Sequence, residues 1–447
     1  MKRFRFRSIA TIAAAALITA VSCGGGTGGG TGGAAQASGS GAVSSDPFVF
    51  LSTQFNTVTE AEAVRSQVLA GFTTAKVDFV GSELGPFNDR IVAEQKAGKG
   101  TIGIVGGQYG DFGAFANTDT FEDLGPLASR LTGIPKDLMD LGKLGTNKQV
   151  FIPWMQATYI MAINKQALQY LPAGVKETDL TYKQLADWCK NIADKTGKKR
   201  CGFAAGPKSL IHRFIQGYLY PAYTGGLVTT YKSSDAVTMW QDFKGIWANV
   251  SPQSLQTDFI QEALLSGEVW VGFDHVARVV DALKTKPNDF VAVPAPKGPK
   301  GLSYMTVLAG LAIPKSSPNK SGAEKFIEYM TTPAVQAKTL TAVAFFPVLS
   351  QPLPTDLAPY LKLESDAVQA QSKSPDAKPA LLPVGLGAKG GEFNKVQLDT
   401  FQQIVVQNKD IQTVLNEQAA ILQTVMNDSK APCWQPDPPS SGPCQVK

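Results

Sequence analysis

From Val49 to Val105 the chain alternates strand, helix, strand, helix, strand, and that order confines the fold to a parallel sheet with helices packed on its faces. Val49 to Leu51 is a short apolar β-run. Thr59-x-x-Glu62 has the spacing of a capping box ahead of Val64, Val68, Leu69 and Phe72, which recur at helical intervals. Val77 to Val80 is the second strand, Asn88 to Ala97 the second helix and Thr101 to Val105 the third strand. The same grammar returns downstream. Thr181-x-x-Gln184 and Ser321-x-x-Glu324 open amphipathic helices, Met239 to Val250 and Ile411 to Val425 form others, and Val269 to Phe273 and Phe290 to Val293 are β-rich. Trp188, Trp240 and Trp247 fall on apolar helix faces and are expected in cores. Gln351 to Gly391, with several Pro and Gly, reads as a long surface excursion.

At 447 residues the chain is long enough for two lobes or more. Its N-terminus is not part of them. Lys2, Arg3, Arg5 and Arg7 precede an uncharged run, Ile9 to Val21, whose 13 residues fall short of the ~20 a membrane-spanning helix needs. This is the pattern of a signal peptide, residues 1–22, ending in Ala20-Val21-Ser22-Cys23. That ending resembles a bacterial lipobox, in which Cys23 is lipidated and becomes the new N-terminus. Residues 24–45 hold ten glycines and no charge. Such a composition is flexible coil with a reach of roughly 26 Å, so 23–45 is expected to be a lipidated tether. Without the four leader cations, 42 Lys and Arg against 37 Asp and Glu leave +1, which gives no electrostatic footprint for nucleic acid.

Four cysteines remain beyond Cys23, an even number in an exported chain, which favours disulfides over metal or redox use. They form two local pairs, Cys189 with Cys201 and Cys433 with Cys444, and of the three connectivities the local one is expected. Each bond would close a loop worth about 3 kcal/mol in the chain-entropy model.

The two histidines, His212 and His275, stand far apart in sequence, so no HExxH zinc helix with its histidines four residues apart is possible, and no multi-histidine metal site is available. There is no GxSxG and no GxxxxGK[ST]. Gly385, Gly387 and Gly390 spell GxGxxG after Pro383, in a loop rather than after the first strand of a βαβ unit. No cofactor is expected. Tyr218, Tyr220 and Tyr223 in GYLYPAY offer phenols to iron but read more simply as a strand and turn.

Eight segments, in order, resemble the extracellular solute-binding proteins of ABC importers, in the sugar-binding group that includes maltose-binding protein: FVFLSTQF, VDFVGSE, TIGIVGGQYGDF, VFIPWMQATYIMAINKQAL, TYKQLADWCKNI, EALLSGEVWVGFDHVARVVDAL, FVAVPAPKGPKG and MTVLAGLAIPKSSPNKSGAEKFIEYM. The resemblance spans most of residues 47 to 430. It implies a two-lobe α/β periplasmic-binding-protein-like fold of type II, with hinge-crossing strands and a ligand cleft between the lobes that closes on its ligand. Lobe one would be 46–157 plus 311–345, lobe two 160–308 plus 348–430, and 431–447 a Pro-rich tail clipped by a disulfide. The implied function is capture of a sugar or oligosaccharide by a lipid-anchored monomer on the extracellular or periplasm-facing side of the membrane. Delivery is to the importer's transmembrane subunits, and no bond is made or broken. The alternatives are the same fold with a polyamine, phosphate ester or iron ligand, an exported glycoside hydrolase, or a surface adhesin.

Ligands of such folds sit beyond the carboxyl ends of the strands. Sugars take aromatic rings for stacking and polar side chains for paired hydrogen bonds. The strand ends supply Gln54 and Phe55, then Glu83, then Gln108 and Tyr109. From the resemblance, Trp154 and Gln156 stand in the first crossing segment. Asp274 and His275 follow VWVGF, with histidine where relatives carry a tryptophan platform. Phe346 at the last crossing and Phe393 before the C-terminal helices complete the candidate set.

Overall fold

A computed structural model describes residues 43–447 except Asn56 and Asn117, so the signal peptide, Cys23 and nearly all of the tether lie outside the described residues. The strands, in chain order, are β1 (Phe48–Ser52), β2 (Val77–Gly81), β3 (Ile102–Gln108), β4 (Ile152–Ala157), β5 (Tyr159–Asn164), β6 (Cys201–Phe203), β7 (Val271–His275), β8 (Phe290–Val293), β9 (Leu302–Ala312), β10 (Phe346–Pro347) and β11 (Ala377–Leu381). They form two sheets.

In the first sheet the order is β10-β4-β9-β3-β1-β2. β1 pairs parallel with β2 and β3, setting Phe50 opposite Phe79 and Ile104, as the opening alternation requires. A strand flanked on both sides and covered on both faces carries apolar side chains in succession, and Phe50 and Leu51 are both buried. From β3 outward the pairing turns antiparallel through β9, β4 and β10. β9 needs Gly310 near its C-terminal end, where a Cβ would stand 2.0 Å from the Phe151 ring.

The second sheet, β6-β7-β5-β8, is centred on β5, whose six residues are all buried. Thr158 alone separates β4 of one sheet from β5 of the other. Its Oγ1 donates to Met305 O at 2.8 Å and accepts Gln371 Nε2 at 3.1 Å, and the Tyr218 hydroxyl stands 2.9 Å away. The crossing is therefore buried and polar-satisfied, tying β4, β9, the helix Pro359–Ser372 and the helical run around Tyr218 at one point.

Thr181 and Gln184 form the expected capping box, the helix Tyr182–Thr196 ends at Gly197 with φ 70°, and Cys189 on its buried face is bonded to Cys201 in β6. Two other helix starts differ from the sequence reading. The first helix is capped by Thr57, not Thr59, with Thr57 Oγ1 accepting Glu60 N and donating to the Glu60 carboxylate. The helix Lys320–Met330 is capped by Asn319 rather than Ser321. Asn319 is buried because its Nδ2 also donates to Ser44 O and Asp46 O, a tertiary partner that local spacing does not reveal.

GYLYPAY is helical, not strand and turn: Ile211–Phe214, a π-helical turn Ile215–Leu219 and Tyr220–Thr224 run end to end, with Pro221 just past the π-helical turn. The three phenols are engaged internally. Tyr218 accepts Tyr159 N, Tyr220 donates to Tyr231 O and Tyr223 to Asp242. The stretch 351–391 is no surface excursion either. It holds the helix Pro359–Ser372, with Leu361, Glu364 and Gln371 buried, and β11, which pairs parallel with the first half of β9.

The C-terminal tail is packed. Cys433 is bonded to Cys444, Trp434 lies buried against Phe393 at 5.4 Å, and Gln435 O accepts Leu381 N of β11. Asp437 accepts the backbone N–H groups of Leu227, Val228 and Thr229 at 2.9–3.2 Å and the Thr229 hydroxyl. No helix among the described residues is long and apolar enough to cross a membrane.

Candidate ligand-binding cleft

The loop leaving β1 is held by its own hydroxyls. Ser52 Oγ accepts Gln54 N at 3.0 Å, and Thr53 Oγ1 accepts Gln54 Nε2 and donates to Asp111 at 2.7 Å. Asp111 also accepts Gln108 N at 2.8 Å, so one carboxylate joins the ends of β1 and β3. Burial raises its pKa above the ordinary range, against the pull of Thr53, Gln108 and the charge on Arg213.

Phe55, the next residue, has φ 62°, a left-handed backbone that an aromatic residue adopts only when its surroundings impose it, at about 1–3 kcal/mol. What imposes it is a ring cluster: Phe55 stands edge-on to Phe345 at 5.4 Å and Trp154 at 6.2 Å.

Across from these, the second sheet presents Tyr159 at the start of β5 and His275 at the end of β7. His275 Nδ1 accepts Ala277 N at 3.2 Å, which places the proton of the neutral ring on Nε2. Burial, and then the charge on Arg278, pushes its pKa down to about 3, so the ring is neutral at physiological pH. Between the two sheets lies a cavity of about 270 Å³ whose walls include Gln54, Phe55, Gln108, Tyr159, His275 and Phe345. Arg213 and Arg278 also line it.

Of the eleven candidate ligand residues, Gln54, Phe55, Gln108 and His275 line this cavity. The others stand elsewhere. Tyr109 is buried in a separate core beside Phe151, because the side chain following Gln108 turns to the other side of the sheet. Glu83 is exposed just before the helix Leu84–Lys96. Trp154 is 1% exposed, behind Phe55, with its Nε1 lacking a hydrogen-bond partner. Gln156 donates to Pro347 O and with Phe346 lines a different cavity, about 250 Å³, near Thr158. Asp274 is buried beneath the cleft, its oxygens accepting Ile260 N and His275 N, and burial raises its pKa to about 7. Phe393 is core.

The sequence reading missed Tyr159, Phe345, Asp111 and both arginines. Phe345 directly precedes the candidate Phe346, so a one-position shift would have found it, whereas Tyr159 lies three residues past Gln156, just beyond the crossing at Thr158. Arg213 was visible only as the neighbour of His212.

The family model for bacterial extracellular solute-binding proteins matches residues 57–337, more than half of the chain. The chain belongs to that family. Solved structures of the same fold include the GacH receptor of Streptomyces glaucescens, a structure of which is in complex with acarbose (16% identity, 86% of this chain and 99% of that one, TM-score 0.67). The sugar-binding protein MalE from Xanthomonas citri aligns at 16% identity over 85% and 97% of the two chains, with a TM-score of 0.68. UgpB from Mycobacterium tuberculosis, in complex with glycerophosphocholine, aligns at 18% over 86% and 98%, with a TM-score of 0.66. No curated protein matches the chain. This solute-binding protein thus has the mixed α/β, two-sheet architecture of solved structures of this fold.

Proposed function

We propose that this protein captures a saccharide outside the cell and delivers it to the transmembrane subunits of an ABC importer, held to the membrane by a lipid on Cys23. The observation that carries the reading is the composition of the 270 Å³ cavity, whose lining combines the aromatic residues Phe55, Tyr159 and Phe345 with Gln54, Gln108 and His275. Flat apolar faces for a sugar ring and paired donors and acceptors for its hydroxyls meet in one volume. At that size the site suits a small sugar rather than a long oligosaccharide.

Closure would bring lobe one, taken as 46–157 with 311–345, against lobe two, 160–308 with 348–430, by rotation about the crossing at Thr158. The division is supported by the change of sheet between Ala157 and Tyr159. The protein acts as a monomer and no bond is made or broken. Asp111 and Asp274 are committed to backbone and hydroxyl partners, which favours binding over hydrolysis.

The test is isothermal titration calorimetry of the protein, purified in detergent from cells expressing the full chain, against mono- and disaccharides, amino acids and polyamines. Saturable binding of one saccharide group is expected, and tight binding of another class with none for saccharides would overturn the reading. Cys23→Ser should release the protein from the membrane fraction, and its retention there would refute the anchor.

A further inference from the structure

The cleft carries more positive charge than a neutral sugar requires. Arg213 and Arg278 both line the cavity. Neither guanidinium has an Asp or Glu oxygen within 4 Å among the described residues. Each is held by neutral partners. Arg213 Nη1 donates to Gln216 Oε1 at 3.0 Å, and the buried Gln216 is itself fixed by Asn394. Arg278 lies over the Phe259 ring at 4.3 Å and donates to Asp258 O at 3.2 Å.

Each arginine has five N–H donors in a planar fork. Most of those donors are left for a partner that the protein itself does not supply. Asp111 attracts the charge of Arg213 and Asp274 that of Arg278, but beyond salt-bridge distance, and each carboxylate is hydrogen-bonded elsewhere. Asp111 is bonded to Thr53 and Gln108, Asp274 to Ile260 and His275, and Glu60, the one carboxylate among the lining side chains, to Thr57. Both arginine charges also reach His212, which burial and these two neighbours hold well below the usual histidine range. Two half-buried cations in a ligand cavity, positioned by neutral groups, are unfavourable in the empty state and become favourable when an anion enters.

We propose that the solute of this cleft carries an oxyanion, a phosphate or carboxylate, seated between Arg213 and Arg278 while its sugar ring packs on the aromatic wall. The inference rests on the saccharide reading for the ring and stands apart from it for the charge. Arg213 comes from the helix Ile211–Phe214, whereas Arg278 belongs to the turn that follows β7. Both lie on the side of the second sheet, opposite the loops of Gln54, Phe55 and Gln108.

The experiment titrates the detergent-purified protein with glucose, glucose 6-phosphate, glucuronate and glycerol 3-phosphate at low and high salt. An anionic sugar should bind at least about tenfold more tightly than glucose, with that advantage shrinking as salt rises. Arg213→Gln and Arg278→Gln should each reduce the advantage about tenfold, each loss being that of a charge-assisted contact. The salt dependence of the unmodified protein provides a readout should either variant fold poorly. Glucose binding as tightly as both anionic sugars overturns the oxyanion seat and leaves the saccharide reading standing. Binding of glycerol 3-phosphate with no sugar supports the seat and overturns the saccharide reading. Binding of none of the anionic probes overturns the seat.

Discussion

Asp437 offers a sharp test of how the C-terminal tail is joined to the turn at 227–229. Asp437→Ala removes the acceptor for three backbone N–H groups and one hydroxyl on the 227–229 turn. Thr229 is half-buried and regains water, but Leu227 and Val228 are buried. An unsatisfied buried donor costs about 1–3 kcal/mol, so the two together cost about 2–6 kcal/mol, with a centre near 4. Unfolding entropy of about 2.1 cal/mol/K per residue over roughly 400 residues converts 4 kcal/mol into a fall in Tm of about 5 °C if the body unfolds as one unit. Asp437→Asn keeps one acceptor oxygen and should lose about half as much. The assay is urea unfolding followed by tryptophan fluorescence, paired with limited proteolysis read by mass spectrometry. If the tail detaches first, cleavage between 431 and 447 precedes the global transition. A change below about 1 kcal/mol with unaltered cleavage would show that the carboxylate is not what holds the tail, and the reasoning would fail.

Three further outcomes are expected. Replacing Cys189 and Cys201 by Ser opens a loop of 12 residues' separation and should cost about 3 kcal/mol, seen as equal lowering of the urea midpoint by the variant and by reductant acting on that bond; no change would refute it. Asp274, whose pKa is about 7 when folded and about 3.9 when unfolded, keeps a native proton that the unfolded chain has released between those values, so its contribution to stability falls as pH rises from 4 to 7, by up to about 1.4 kcal/mol per unit. His275, lowered to about 3, opposes it over the same window, so Asp274→Asn should make stability rise more steeply with pH than in the unmodified protein, and parallel curves would contradict the assignment. Phe55→Ala, which empties the ring position between Phe345 and Trp154, should cost about 3–5 kcal/mol and abolish ligand binding; undiminished binding would remove Phe55 from the site.

The opening βαβαβ order, both disulfide pairings and the capping box at Thr181 were legible because each rests on residues close in sequence. Asn319 and Thr57 were not, since the winning cap was chosen by a tertiary bond in one case and a two-residue shift in the other. The same boundary divides the site. Gln54, Phe55 and Gln108 follow from strand ends, which topology alone places at the cleft. Tyr109 carries the right chemistry one residue out of phase, and in a strand a single step exchanges one face for the other, whereas Trp154 stands one layer too deep, behind Phe55. Arg213 and Arg278 gave no periodic signal. Arginines in short helical turns look like surface charges until the fold turns those turns inward.

Trp154 has an optical consequence. It stands edge-on to a Phe55 ring that forms part of the cavity wall, and its indole nitrogen is buried without a partner. A solute that presses on Phe55 displaces the ring against this indole, so the protein carries its own dye at the back wall of the cleft. Emission that changes on adding solute in the native protein and not in Trp154→Phe would turn each loading event into a colour shift, readable in a stopped-flow cell without any label.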